Sequence, residues 1–281
     1  MKRLLLVSVW VMLIFGCEDT NVVMMTGAAV DAVNAITLSD EQVEQIAARA
    51  AVASDEKNKI APASSPYAQR LEKLVKNYRT YDGDQFNYKV YLTDQVNAFA
   101  MADGTIRVYS GLMDLMDDEE LMFVIGHEMG HVVHEHSRKK VVLAYASSAL
   151  RKGLASQQGD IGDIAASAIG GFVEQLTHAQ FSQYEERQAD IYGYRFLRDQ
   201  GYNTDGAVRS LNKLAELARN HTFLSSHPDP EKRAAIMLEK GDQEDEPEAK
   251  AEGSLLETLF GLVKKAISLV IALLNWVLSL F

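Results

Sequence analysis

The segment from Asp117 to His131 constrains this 281-residue chain more than any other. Asp117 with Glu120 three residues on is a capping-box pattern, so a helix starts there. Leu121, Met122, Phe123, Val124 and Ile125 follow without a polar break. A helix this apolar has to be buried, and any polar group within it needs a reason. The polar groups are His127-Glu128-Met129-Gly130-His131. Histidines four residues apart share a helix face and can aim two imidazole nitrogens at one cation. The glutamate between them can reach a water bound to that cation. The string reads as a site for one zinc ion per chain.

A catalytic zinc needs a third protein ligand and an open position. His134 lies near the same helical face, but roughly 10.5 Å along the axis from His127, too far for both to hold one ion through ~2.0 Å bonds. With His136 it is expected at the solvated end of the helix, where the dipole favours positive charge. The best supplier is Glu186-Arg187-Gln188-Ala189-Asp190, on a helix that continues to Leu197. Glu186 would be the third ligand. Asp190, one turn later, would accept the other ring N–H of a ligand histidine and fix its tautomer.

The rest of the body suggests a small sheet among helices. Helices are expected from Ser39 towards Ala53, from Pro66 to about Arg79, and over 205–220. Asn87 to Leu92, Asn97-Ala98-Phe99-Ala100-Met101 and Thr105 to Tyr109 read as strands, the last two joined by a tight turn at Ala102-Asp103-Gly104. Residues 138–181 read as a helical hairpin over the site, since Arg151, Lys152, Asp160, Asp163 and Glu174 interrupt any membrane span.

The ends differ from the body. Lys2 and Arg3 precede the apolar run Leu4–Phe15, which suits a secretory signal over 1–16. Ile14-Phe15-Gly16-Cys17 resembles a bacterial lipobox, making Cys17 the lipidated start of a tether over 17–36. Residues 241–253 form an acidic linker, and 254–281 an almost wholly apolar helix with one narrow stripe of polar and small residues. That helix could lie in a membrane interface, associate with itself, or strap onto the domain at 37–240. Charge and cysteine content narrow the function. Asp plus Glu exceeds Lys plus Arg by 39 to 28, which argues against nucleic acid as a partner. The single cysteine excludes an intrachain disulfide framework and a cysteine-rich zinc ribbon.

Taken together, HEMGH, Asn97-Ala98-Phe99-Ala100, Arg107-Val108-Tyr109-Ser110-Gly111-Leu112-Met113 and Glu186-Arg187-Gln188-Ala189-Asp190 resemble the HtpX and CAAX-prenyl-protease type of zinc metallopeptidase. The resemblance covers about residues 38 to 240. It implies an α+β, mainly helical zincin-like domain with a small sheet, zinc on His127, His131 and Glu186, and Glu128 as general base. It also implies a role near the metal for His227-Pro228 and Arg233, where an oxyanion would be stabilised, and an extended substrate added as a strand beside Asn97–Met101. With the lipobox, it implies a lipid-anchored endopeptidase on the periplasmic side of an outer membrane, acting on unfolded or misassembled proteins. The alternative is a zinc-bearing chaperone or assembly scaffold for outer-membrane proteins, for which Glu128 would have no use.

Overall fold

The structure is a computed structural model that describes residues 38–144, 180–217, 222–241 and 243. The signal, tether and C-terminal helix expected above lie outside the described residues, as does most of the acidic linker and of the hairpin. Among the described residues no helix is long and apolar enough to cross a membrane.

Helix α1 (Asp40–Lys57) starts at a Ser39–Gln42 capping box. It buries Val43, Ala47, Ala50, Ala51 and Ser54, one stripe at helical spacing. Helix α2 (Pro66–Val75) is capped by Ser65 with proline at its first turn, and ends earlier than the sequence pattern suggests. Strands β1 (Thr80–Tyr81) and β2 (Asp84–Gln85) make a hairpin over Asp82-Gly83, both at positive φ, a turn signal not anticipated above.

The three expected strands form one sheet: β3 (Asn87–Tyr91), β4 (Ala98–Ala100) and β5 (Thr105–Tyr109). Their order is β3-β5-β4, with β3 parallel and β4 antiparallel to the central β5. Val90, Ile106 and Val108 pack on the main core. Tyr91 and Phe99 join a second cluster with Val43, Ala47 and Val141, so α1 covers the other side. Asp55 of α1 ties helix to sheet, accepting from Arg107 Nε at 2.8 Å and Tyr91 Oη at 2.7 Å and pairing with Lys89 Nζ at 2.7 Å.

Short helix α3 (Ser110–Leu115) leads into α4 (Asp118–Val133), which has the expected Asp117–Glu120 capping box and is buried from Glu120 to His131. Residues 136–144 are helical. Helix α5 (Gln183–Asp199) follows a Ser182–Glu185 capping box. Helices α6 (Asp205–Glu216), α7 (Thr222–Ser226) and α8 (Pro230–Lys240) close the core below α4. The α+β, mainly helical class expected from the sequence is the class observed.

Among the described residues, helices α4 and α5 make the most extensive interhelical contact, and small residues permit it. A Cβ added at Gly126 would lie 3.1 Å from Gly193 Cα, and one at Gly130 would lie 3.1 Å from Ala189 Cα. Gly126 and Gly130 sit one turn apart on α4, as Ala189 and Gly193 do on α5. The two smooth surfaces meet, and the residues beside them come into bonding range.

Candidate metal centre

The crossing of α4 and α5 sets His127 and His131 against Glu186 and Asp190. All four are buried. His127 Nε2 and His131 Nε2 are 3.1 Å apart, and Glu186 Oε1 lies 3.4 Å from His131 Nε2. Glu186 Oε2 lies 3.7 Å from His127 Nε2. Donors around one ion with ~2.0–2.1 Å bonds in tetrahedral array stand roughly 3.3 Å apart, so this spacing fits a metal centre. His227, from the loop between α7 and α8, brings Nδ1 to 2.9 Å from Glu186 Oε1 and 3.3 Å from His127 Nε2. Ligand atoms of His127, His131, Glu186 and His227 all lie within 4.8 Å of one another.

Hydrogen bonds behind the donors fix their lone pairs. His127 Nδ1–H donates to Asp190 Oδ1 at 2.9 Å, leaving Nε2 free to bind. His131 Nδ1 meets His136 Nδ1 at 3.0 Å, and His136 Nε2 meets Gln188 Oε1 at 3.0 Å. Gln188 Oε1 can only accept there, so His136 carries its proton on Nε2 and accepts from His131 Nδ1–H. That again leaves the metal-facing Nε2 unprotonated. Burial pushes His136 down to about 4 and His131 well below the usual histidine range, so both are neutral.

The expectation for His136 is therefore corrected. It is buried against His131, because a turn at 134–135 with Glu135 at positive φ swings the chain back into the site. His134 does lie exposed at the end of α4.

Arg233 is also placed differently from the expectation. Its Nε and Nη2 hold the two oxygens of Asp190 at 2.9 and 2.6 Å, and Nη1 lies against Glu186 Oε2. A guanidinium committed to two carboxylates orients those groups and does not face an oxyanion. Burial raises the Glu186 carboxyl, but the charges of Arg233 and His227 outweigh it and hold it well below the usual range. Asp190 is lowered too, by Arg233 and His127 against burial. The adjacent Glu185 has another task, accepting from Lys139 Nζ at 2.7 Å and Ser182 N at 2.9 Å.

Glu128 projects from α4 beside the donors. It is 1% exposed, Oε1 accepts no hydrogen bond, and His227 Nε2 lies 3.4 Å from that oxygen. It lines a cleft with Phe99, Ala100 and Met101 at β4, and with Lys140 and Phe181. β4 is an edge strand. Asn97 O accepts from Tyr109 N and Met101 N donates to Thr105 O, so the alternation turns the backbone groups of Ala98 and Ala100 away from β5. Ser137 Oγ–H reaches Ala100 O at 3.4 Å. The Ala98 side chain is packed into the main core, so only backbone groups on the side of β4 away from β5 are left to meet an extended chain.

The model of peptidase family M48 matches residues 64–240. The chain belongs to that family. As an M48 metalloendopeptidase it is 42% identical to metalloprotease LoiP of Escherichia coli (strain K12) over 83% of its own length and 94% of that protein. Metalloprotease YcaL of the same organism is 37% identical, with the same coverage. The β-barrel assembly-enhancing protease of Yersinia pestis is 25% identical over 77% of this chain and 46% of that protein. The M48 chain is thus a metal-dependent hydrolase, and its His-His-Glu-His cluster is the place that could hold the metal.

Sequence reasoning did not identify His136, Gln188, Lys140 or the glycines of the crossing. The glycines carried a signal: Gly126 with Gly130 and Ala189 with Gly193 repeat small residues at a four-residue step beside the ligand pairs. His136 carried none, because only the turn at 134–135 brings it back.

Proposed function

We propose that this chain is a zinc endopeptidase that degrades unfolded or misassembled proteins on the periplasmic side of a bacterial outer membrane, where acylated Cys17 tethers it. The hydrolytic reading rests on Glu128, a buried carboxylate with an unbonded oxygen set beside four metal donors. Zinc, favoured over harder cations by imidazole donors, would be held by His127, His131 and Glu186, with His227 in reach. Once bound it supplies Lewis acidity, polarising a scissile carbonyl and making water nucleophilic at neutral pH. Glu128 takes the proton of the attacking water and passes it to the leaving amine. The Ala98 and Ala100 backbone holds an extended peptide by strand addition, which suits substrates of varied sequence. Arg233 keeps Asp190 and Glu186 oriented, and His227 stands beside Glu128 where charge develops.

The lipobox-like Ile14-Phe15-Gly16-Cys17 supports the tether. The name of the Yersinia relative, which speaks of β-barrel assembly, supports work on outer-membrane proteins. The apolar composition of 254–281 supports contact with the membrane interface ahead of self-association or a strap on the domain.

Glu128→Gln should retain zinc, measured by atomic absorption, and lose casein hydrolysis; continued hydrolysis removes Glu128 from the mechanism. Radiolabelled fatty acid should enter the wild type and not Cys17→Ala. An unlabelled wild type rules out the tether.

A further inference from the structure

The cleft contains a cation that neither the metal centre nor the mechanism above employs. Lys140 is the only lysine or arginine among the described residues that line it. Its Nζ lies 3.2 Å from the centre of the Phe181 ring, and the Phe181 ring itself stacks on His131 at 3.6 Å. The lysine is therefore seated on the wall that carries a metal donor.

Among the described residues its ammonium has no hydrogen bond and no ion pair, only the ring face. Burial pushes its pKa down to about 8, although the charges of Glu128, Glu186 and Glu185 oppose that. Those carboxylates are placed elsewhere: Glu186 among the donors, Glu185 on Lys139 and Ser182, Glu128 facing His227. A ring face steadies an ammonium but accepts none of its N–H bonds in the manner of an oxygen. Half-buried on the cleft wall, the ammonium keeps N–H groups that a ligand's acceptor in the cleft could take. The same helical segment is tied to β4 by Ser137, so the lysine shares one cleft with the strand that would align a peptide.

The geometry points to Lys140 as a specificity-determining residue that pairs with the carboxylate of an aspartate or glutamate flanking the scissile bond. The inference rests on the peptidase reading and adds a substrate class, peptide segments with an acidic residue next to the cut. The chain's net charge of −11 does not oppose this locally, since salt screens exposed charges beyond about 8 Å.

Matched fluorogenic peptides with glutamate or glutamine at each of the two residues on either side of the scissile bond test it in the zinc-loaded full chain. At one of these positions the glutamate peptide should have about tenfold higher kcat/KM, expressed in KM, as a charge-assisted bond in a cleft would give. Lys140→Met should abolish the preference, Lys140→Arg should restore it, and Lys140→Glu should invert it. A preference that survives Lys140→Met overturns the inference. So does an equal loss of kcat for both peptides, which would put the lysine on Glu128 or the oxyanion. Anisotropy binding of the same peptides to Glu128→Gln, with and without Lys140→Met, measures the preference independently of turnover. If nothing is cleaved but the lysine-dependent binding preference remains, the peptidase reading fails and the charge-reading site stands.

Discussion

Gly193 meets α4 through backbone atoms at the α4–α5 crossing, and Gly193→Ala tests whether that contact sets the metal site. A Cβ there would stand 3.0 Å from His127 N and 3.0 Å from Phe123 O. Both are backbone atoms of a buried helix, so neither can rotate aside, and the helices must part by a few tenths of an ångström. Overpacking of this kind costs ~1–3 kcal/mol, while alanine gains ~1 kcal/mol over glycine in helix preference. The expected net loss is about 1 kcal/mol, a fall in Tm of about 2–4 °C for a domain of this size. The metal should respond more strongly. Parting α5 from α4 lengthens the 2.9 Å bond from His127 to Asp190 and draws Glu186 from both histidines. Loss of such support weakens metal affinity about 10–100-fold, and about tenfold is expected. Calorimetry of the metal-free protein gives the first quantity, and zinc competition with a chromophoric chelator gives the second. Unchanged affinity with a raised Tm would show slack at the crossing and refute the argument.

Glu186→Ala should lose zinc in the same titration, whereas Glu185→Ala should keep it and lose about 1 kcal/mol of stability with its helix cap. His136→Ala and Gln188→Ala should each weaken zinc about tenfold by freeing the His131 ring; unaltered affinity in both would remove the relay. Asp55 is lowered from 3.8 to about 2, burial being outweighed by Arg107, Lys89 and Tyr91. Its folded pKa is depressed, so its stabilisation is present above about pH 4 and fades as pH falls towards 2. That shift is worth about 2 kcal/mol. Asp55→Asn should therefore cost about 2 kcal/mol in urea unfolding at pH 7 and progressively less below pH 4. A gap independent of pH would refute the assignment.

What the sequence determined by itself is whatever depends on neighbours a few residues apart. The Asp117–Glu120 box, the i,i+4 pairs His127/His131 and Glu186/Asp190, and the period-two strands at 87–92 and 105–109 are all local. Their geometry follows from 3.6 and 2 residues per repeat, and each is found where those repeats put it. The same periodicity separates Glu186 from Glu185, which points to a different partner.

Contacts between distant segments were decided only by the tertiary structure. His127 meets His227 a hundred residues on, and Arg233 turns to Asp190 and Glu186 because α8 packs against α5. A turn of two residues reverses His136 from a solvated helix end into a buried partner of His131. Lys140 reaches the cleft because its own segment packs on β4 and Phe181. Spacing along a chain fixes which side chains share a face, but it cannot fix which two faces meet. Here that choice belongs to the glycines of α4 and α5, whose missing side chains let the helices close until the donors are about 3 Å apart.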